Sequence, residues 1–109
     1  MDELWQTEWC PASRRVRQRL TELGIDYVAR QVPAERDQRV LLRERTGNDT
    51  IPILVAPDGT VVVGEDAISA HLDERVPKPP EARVHQLMAE KARRRYLEEE
   101  CECSQPATP

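Results

Sequence analysis

Apolar residues along this chain change their spacing in an order that predicts alternating strands and helices. Residues 4–9 form a short β-prone run, after which Val16, Leu20 and Leu23 follow the i, i+4, i+7 spacing of an amphipathic helix. A second stretch rich in β-branched and aromatic residues covers residues 25–32. Two strands joined by a helix need a crossover connection, so we expect these two strands to run parallel.

The second part of the pattern predicts a helix, a hairpin and a further helix. A polar helical stretch covers residues 33–45, and two apolar runs, residues 53–56 and 61–63, flank Pro57-Asp58-Gly59-Thr60. Because proline fixes the first turn angle and glycine accepts a positive φ, this arrangement predicts an antiparallel hairpin. A helix is predicted from about residue 66 to residue 75. The order β-α-β-α-β-β-α predicts an α/β fold in which a four-stranded mixed sheet is flanked by helices.

The length of 109 residues fits one compact domain and a short extension. We expect a domain at residues 1–76, a proline-rich connector at 77–80, a helix at 81–100 and a disordered tail at 101–109. The acidic start differs from the basic start of a signal peptide, and no apolar run approaches the ~20 residues of a membrane span. The net charge of −4 argues against general nucleic-acid binding. We therefore expect a cytoplasmic monomer or weak dimer that binds neither membranes nor nucleic acids.

Cys10 is the first candidate for chemistry, because it lies where the first strand ends and the first helix begins. A helix N-terminus offers free backbone N–H groups and the positive end of the helix dipole, and both favour the thiolate. Arg14 adds positive charge one turn later, whereas Arg15 is expected only to face solvent. The placement indicates either a nucleophile for disulfide exchange or a small buried residue that fills the strand end.

Three segments of the chain carry recognisable motifs: Trp9-Cys10-Pro11-Ala12-Ser13, Thr50-Ile51-Pro52-Ile53-Leu54 and Gly64-Glu65-Asp66-Ala67-Ile68. Together they resemble the glutaredoxins and the N-terminal domain of glutathione S-transferases, which are thioredoxin-superfamily proteins. Trp9-Cys10-Pro11-Ala12-Ser13 is similar to the start of their active site, and Thr50-Ile51-Pro52-Ile53-Leu54 is similar to their Thr-Val-Pro segment. Gly64-Glu65-Asp66-Ala67-Ile68 resembles the segment that holds the glutamyl end of glutathione. The segments match in order and spacing over residues 3 to about 76. The resemblance implies a thioredoxin-like fold, here with one extra C-terminal helix.

The resemblance also implies a role for each matching residue. Cys10 is the expected nucleophile, and Ser13 stands where dithiol enzymes have their resolving cysteine. The Ile51–Pro52 peptide bond is expected to be cis and to face Cys10. The expected site for glutathione, or for an equivalent small thiol, consists of Arg14, Ile51, Pro52, Glu65 and Asp66. No metal is expected at this site.

The leading hypothesis is a monothiol, glutaredoxin-like thiol–disulfide oxidoreductase whose partners are a small thiol and disulfide-bearing proteins. One alternative is a thioredoxin-fold adaptor that has lost turnover. The other is an iron–sulfur carrier, which ranks lower because Pro11-Ala12 replaces the usual Gly-Phe after the cysteine. Asp66 has a second interpretation, in which it only caps a helix. Cys101 and Cys103 are interpreted either as an accidental pair or as an external resolving or metal-binding pair.

Overall fold

The computed structural model describes residues 1–76 and 82–98. The chain divides into two units; in the described residues, the first unit holds four strands and three α-helices and the second holds one α-helix. The elements in chain order are β1 (Asp2–Gln6), α1 (Pro11–Glu22), β2 (Tyr27–Gln31), α2 (Val40–Thr46), β3 (Ile53–Val55), β4 (Val61–Val63), α3 (Glu65–Arg75) and α4 (Ala82–Glu98). The predicted connector and tail lie outside the described residues.

The four strands form one mixed sheet in the order β2-β1-β3-β4. β1 pairs in parallel with β2, from Asp2 opposite Tyr27 to Gln6 opposite Gln31. β1 pairs antiparallel with β3, and β3 pairs antiparallel with β4. This topology confirms the predicted thioredoxin-like α/β fold, with its parallel first half and its antiparallel hairpin.

The sheet has an apolar cluster on each face, because successive side chains of a strand point to opposite sides. Helices α1 and α3 cover one face, and α2 covers the other. The first cluster consists of Leu4, Val16, Leu20, Leu54, Ile68 and Leu72, all almost fully buried. The second consists of Trp5, Val32, Leu42, Ile53 and Val55. Each cluster therefore fixes one layer of helices against the strands that carry the candidate site.

The first strand is shorter than the β-prone run suggests, because β1 ends at Gln6 and not at Trp9. Gln6 is fully buried, and its side chain hydrogen-bonds to Glu8 and Gln31. The indole of Trp9 is 87% exposed and takes no part in the sheet. A short loop, residues 7–9, therefore leads from the sheet to Cys10.

The polar helix expected over residues 33–45 is also shorter. A 3₁₀ turn at Arg36–Gln38 precedes α2, which begins only at Val40. The guanidinium of Arg39 donates hydrogen bonds to three backbone carbonyls, those of Pro33, Ala34 and Asp49. The bonds to Pro33 and Ala34 satisfy carbonyls that a continuous helix would use internally, and the bond to Asp49 joins this segment to the loop after α2, so the non-helical segment is stable.

Gly47 ends α2 as predicted, and it has φ 76°, in the left-handed region. Within the described residues, and apart from Gly47 itself and its two chain neighbours, no heavy atom lies within 4 Å of the place where a Cβ would be, so the cost of a side chain here comes from the backbone conformation. Gly47→Ala is expected to lower the free energy of unfolding by about 1 kcal/mol. Gly47→Asn should cost less, because asparagine tolerates this conformation. Urea denaturation of both variants measures the difference, and equal losses would contradict this explanation.

In the second unit, α4 spans Ala82–Glu98, within the range predicted for the last helix. Three residues that the sequence pattern places on its apolar stripe, Val84, Leu87 and Met88, are exposed. No helix within residues 1–76 or 82–98 has the length and the apolar character needed to cross a membrane.

Candidate active site

Cys10 is the N-cap residue of α1, and Pro11 occupies the first helical position. The Cys10 backbone is extended, with φ −76° and ψ 118°, which directs its side chain back over the first turn. The sulfur accepts a hydrogen bond from the backbone N–H of Ser13, at an N···Sγ distance of 3.4 Å. The thiol thus takes the place that a serine or aspartate side chain usually occupies at a helix start.

The surroundings lower the pKa of the Cys10 thiol. Partial burial raises this pKa, but several donors and one charge outweigh the burial. The donors are the side chain and backbone N–H of Ser13 and the backbone N–H of Ala12, and the charge is that of Arg15. Hydrogen bonds and positive charge favour the anionic form of a thiol. The expectation from helix position is therefore supported by specific groups.

Ser13 is fully buried directly beside the thiol. Its hydroxyl is close enough to Cys10 to lower the pKa of the thiol, although Oγ makes no hydrogen bond of ordinary geometry within the described part of the chain. A hydroxyl rotates freely about its C–O bond, so it is available to donate to a sulfur that carries negative charge. Its catalytic role stays a prediction.

The side chain of Arg15 joins the start of α1 to the start of α3. Its Nε and Nη2 atoms donate to the two carboxylate oxygens of Glu65, with an Nη2···Oε1 distance of 3.1 Å. This ion pair raises the pKa of Arg15 and lowers that of Glu65. Arg15 is exposed, as expected for a residue on a solvated helix face, but it also pairs with Glu65, which the expectation did not include. Arg14 is exposed, and its part in thiol binding stays a prediction.

The Ile51–Pro52 peptide bond is cis, as the resemblance implies. Pro52 is buried, and its carbonyl accepts a hydrogen bond of 2.9 Å from the N–H of Gly64, the residue just before α3. Among the residues that the structure describes, none hydrogen-bonds to the backbone N–H or C=O of Ile51. These two groups are thus open to a ligand backbone.

Asp66 lies in the first turn of α3 and is exposed. The N-cap residue of α3 is Gly64, with φ 91°, and no side chain caps this helix. The interpretation of Asp66 as a helix cap is therefore wrong. As a carboxylate in the first turn, it still interacts favourably with the helix dipole.

Most residues of the predicted site are linked to one another, either by hydrogen bonds or by adjacent positions at a helix start. Cys10 and Arg15 belong to the start of α1, Arg15 binds Glu65, and the residue before Glu65 binds Pro52. The contribution of Arg15 could not be predicted from the sequence, since its partner lies 50 positions away and no local pattern indicates the pairing. Within residues 1–76 and 82–98, no three metal-ligating side chains come together.

Sequence comparison identifies residues 4–80 as matching the family "Glutathione S-transferase, N-terminal domain". A glutathione S-transferase from Rhodospirillum rubrum is 31% identical, with a TM-score of 0.62, over 72% of this chain and 36% of that one. FzlA from C. crescentus is 27% identical, with a TM-score of 0.64, over 72% of this chain and 36% of its own. No curated protein sequence matches this chain.

Glutaredoxin 2 from Salmonella typhimurium, solved in complex with glutathione, has a TM-score of 0.63 over 72% of this chain and 35% of its own. At 19% identity this similarity shows the shared fold alone. The chain spans about a third of the length of these solved structures. The family match covers more than half of the chain, and the fold agrees with it. The chain therefore belongs to the glutathione S-transferase N-terminal domain family, within the thioredoxin superfamily.

Proposed function

We propose that this chain is a monothiol, glutaredoxin-like thiol–disulfide oxidoreductase that uses glutathione or an equivalent small thiol. The observation that carries the proposal is the Cys10 thiol at the N-terminus of α1, with a lowered pKa and a hydrogen bond from Ser13. Membership of a glutathione-related family supports the choice of thiol. The fold shared with a glutathione-bound glutaredoxin is consistent with the reaction class.

In the proposed reaction, the Cys10 thiolate attacks the glutathione sulfur of a mixed disulfide between a protein and glutathione. The Cys10–glutathione bond forms as the protein–glutathione bond breaks, and the protein thiolate leaves and takes a proton from water. A second glutathione thiolate then attacks the adduct, which releases glutathione disulfide and restores the Cys10 thiolate. Ser13 occupies the place of a resolving cysteine, and its hydroxyl cannot attack the mixed disulfide. The adduct is therefore resolved by the external thiol.

The proposed binding residues offer complementary groups to a small peptide thiol. Glu65 and Asp66 supply carboxylates for an ammonium group, and the start of α3 supplies N–H donors for a carboxylate. The open backbone groups of Ile51 suit an extended ligand, which would pair with them as a neighbouring strand does. Arg14 is the proposed second cation of the site. Turnover needs a reduced thiol, so the proposal includes a cytoplasmic location and disulfide-bearing protein partners.

The test is the reduction of a glutathione mixed disulfide by the purified chain, together with its intact mass after exposure to oxidised glutathione. Turnover with an adduct on Cys10 supports the oxidoreductase. An adduct on Cys10 without turnover would favour the adaptor hypothesis. Adducts confined to Cys101 and Cys103 would contradict any redox role for Cys10.

The reactivity of Cys10 should rise with pH at a midpoint below that of a free cysteine, which is ~8.5. The reason is that the lowered pKa leaves more thiolate at neutral pH. The measurement is the rate of iodoacetamide alkylation against pH, in a background where Cys101→Ser and Cys103→Ser remove the other two thiols. A midpoint at or above the free value would contradict the activated thiol.

Asp66→Asn is expected to weaken capture of glutathione on Cys10 several-fold, because it removes one carboxylate available to the ammonium group. Its melting temperature should stay within a few degrees of the original, since Asp66 is exposed and makes no cap. The measurement is the rate of adduct formation with oxidised glutathione. Glutathionylation at the original rate would show that Asp66 has no part in thiol binding.

A further inference from the structure

Arg15 is shared between the nucleophile and the carboxylate at the start of α3. Its guanidinium makes a bidentate hydrogen bond to Glu65. Cys10 is the N-cap residue of the same helix, five positions before Arg15 in the sequence. The side chain of Arg15 is 55% exposed and that of Glu65 is 26% exposed. A ligand can therefore reach this ion pair without unfolding either helix.

Charged side chains occur in the loop before α1, in the first turns of α1 and at the start of α3, which Arg15 joins to α1. They are Glu8, Arg14, Arg15, Glu65 and Asp66. Glu8 is engaged elsewhere, since it accepts a hydrogen bond from Gln6 and pairs with Arg17 at 3.6 Å. Arg15 is the cation whose charge reaches Cys10, and it also feels the charges of Glu65 and Asp66.

We propose that Glu65 restrains Arg15, and that a ligand ammonium group arriving at Glu65 releases Arg15 toward the Cys10 sulfur. The two hydrogen bonds to Glu65 hold the guanidinium in place, and the carboxylate cancels much of its field at the thiol. An ammonium group is the kind of ligand group that can replace a guanidinium beside a carboxylate. The freed guanidinium stays on the helix that Cys10 caps, five positions after the thiol, and its charge is then available to the thiolate.

Through this coupling, the small thiol that reacts with Cys10 also raises the reactivity of Cys10. The thiol of Cys10 stays less reactive while Arg15 is bound to Glu65, and it becomes more nucleophilic when a ligand with an ammonium group is present. The choice of an amino-acid-like ligand rests on the proposed function. The link from Glu65 to Arg15 rests on their two hydrogen bonds, and the link from Arg15 to Cys10 rests on their shared helix and on the charge of Arg15 at the thiol.

The test compares the pH midpoint of Cys10 alkylation by iodoacetamide in single and double variants. All variants are made in the full chain with Cys101→Ser and Cys103→Ser. Glu65→Gln should lower the midpoint and raise the alkylation rate at neutral pH by about twofold to fivefold, because a partly exposed charge acts through a high dielectric. Arg15→Gln should raise the midpoint. The double variant should behave like Arg15→Gln, since Glu65 acts only through Arg15.

A second ion pair between the same two helices provides a matched control. Arg19 Nη2 lies 2.5 Å from Asp73 Oδ1, farther along α1 and α3. Asp73→Asn removes the same charge from the same helix and should leave the midpoint unchanged. The proposal is overturned if Glu65→Gln does not lower the midpoint, or if Asp73→Asn lowers it equally.

The ligand half of the proposal is tested with γ-glutamylethylamide, which has an ammonium group and a carboxylate but no thiol. It should lower the midpoint of the original chain and have no effect on Glu65→Gln. No effect on the original chain would overturn ligand release of Arg15. If all the midpoints shift as expected while mixed-disulfide reduction is absent, the coupling stands and the proposed function fails. If mixed-disulfide turnover is normal but the midpoints do not shift, the proposed function stands and the coupling fails.

Discussion

Cys10→Ser is expected to reduce mixed-disulfide reduction to the uncatalysed rate. A serine hydroxyl at the N-cap position keeps the hydrogen bond to the N–H of Ser13 but is not ionised at neutral pH, so the variant should fold and lack the nucleophile. The rate with a glutathionylated peptide and the intact mass after exposure to oxidised glutathione measure the loss. Both readouts should fall together, because the adduct is the proposed intermediate.

The control for this variant is the chain with Cys101→Ser and Cys103→Ser. It should keep both the turnover and the adduct, because the proposed cycle uses one protein thiol. An unchanged rate in Cys10→Ser would place the chemistry on another residue. A lost rate in the tail variant would instead assign the two tail cysteines to the resolving step.

Arg75→Met is expected to destabilise the fold far more than Gly47→Ala does. Arg75 donates to both carboxylate oxygens of Asp2, at 2.5 and 2.7 Å, and so ties the first strand to the last turn of α3. Asp2 is only 2% exposed, so the variant leaves a buried carboxylate without its partner. Breaking a fully buried ion pair costs about 3–5 kcal/mol, and the cost here should lie toward the lower end of that range, because the Arg75 side chain is 34% exposed. Urea denaturation at neutral pH measures the loss.

A double variant separates the broken pair from lost packing. Asp2→Asn/Arg75→Met removes the buried charge together with its partner, so it should be more stable than Arg75→Met alone. If the double variant is the less stable of the two, the destabilisation comes from the packing of the arginine stem and not from the uncompensated charge.

The fold could be predicted from the sequence because its determinants are local. The helical spacing of Val16 and Leu20, the Pro-Asp-Gly turn and the order of elements each depend on neighbouring residues. The position of Cys10 at the helix start was predictable for the same reason, since the N-cap follows from the end of one element and the start of the next. The cis bond before Pro52 followed from resemblance to a family, not from a local rule.

The features that could not be predicted share a different cause, which is contact between residues far apart in the chain. The pairs Arg15–Glu65 and Arg75–Asp2 join positions separated by 50 and 73 residues. A charged residue on an amphipathic helix looks the same in sequence whether it faces water or a carboxylate. The shortened helix before Gly47 is an exception, because Arg39 binds carbonyls only 6 and 10 positions away, on the two sides of that segment.

The central position of β1 has a consequence for how the domain is made. β1 precedes the other three strands of this sheet in the chain, and it must later hold partners on both edges, β2 on one and β3 on the other. During synthesis it can pair first with β2, once the segment through Gln31 has emerged, and its other edge stays open until residue 55 is made. An open strand edge is a site for pairing with other chains. The nascent domain is therefore most exposed to aggregation while β1 and β2 are complete and β3 is still being translated.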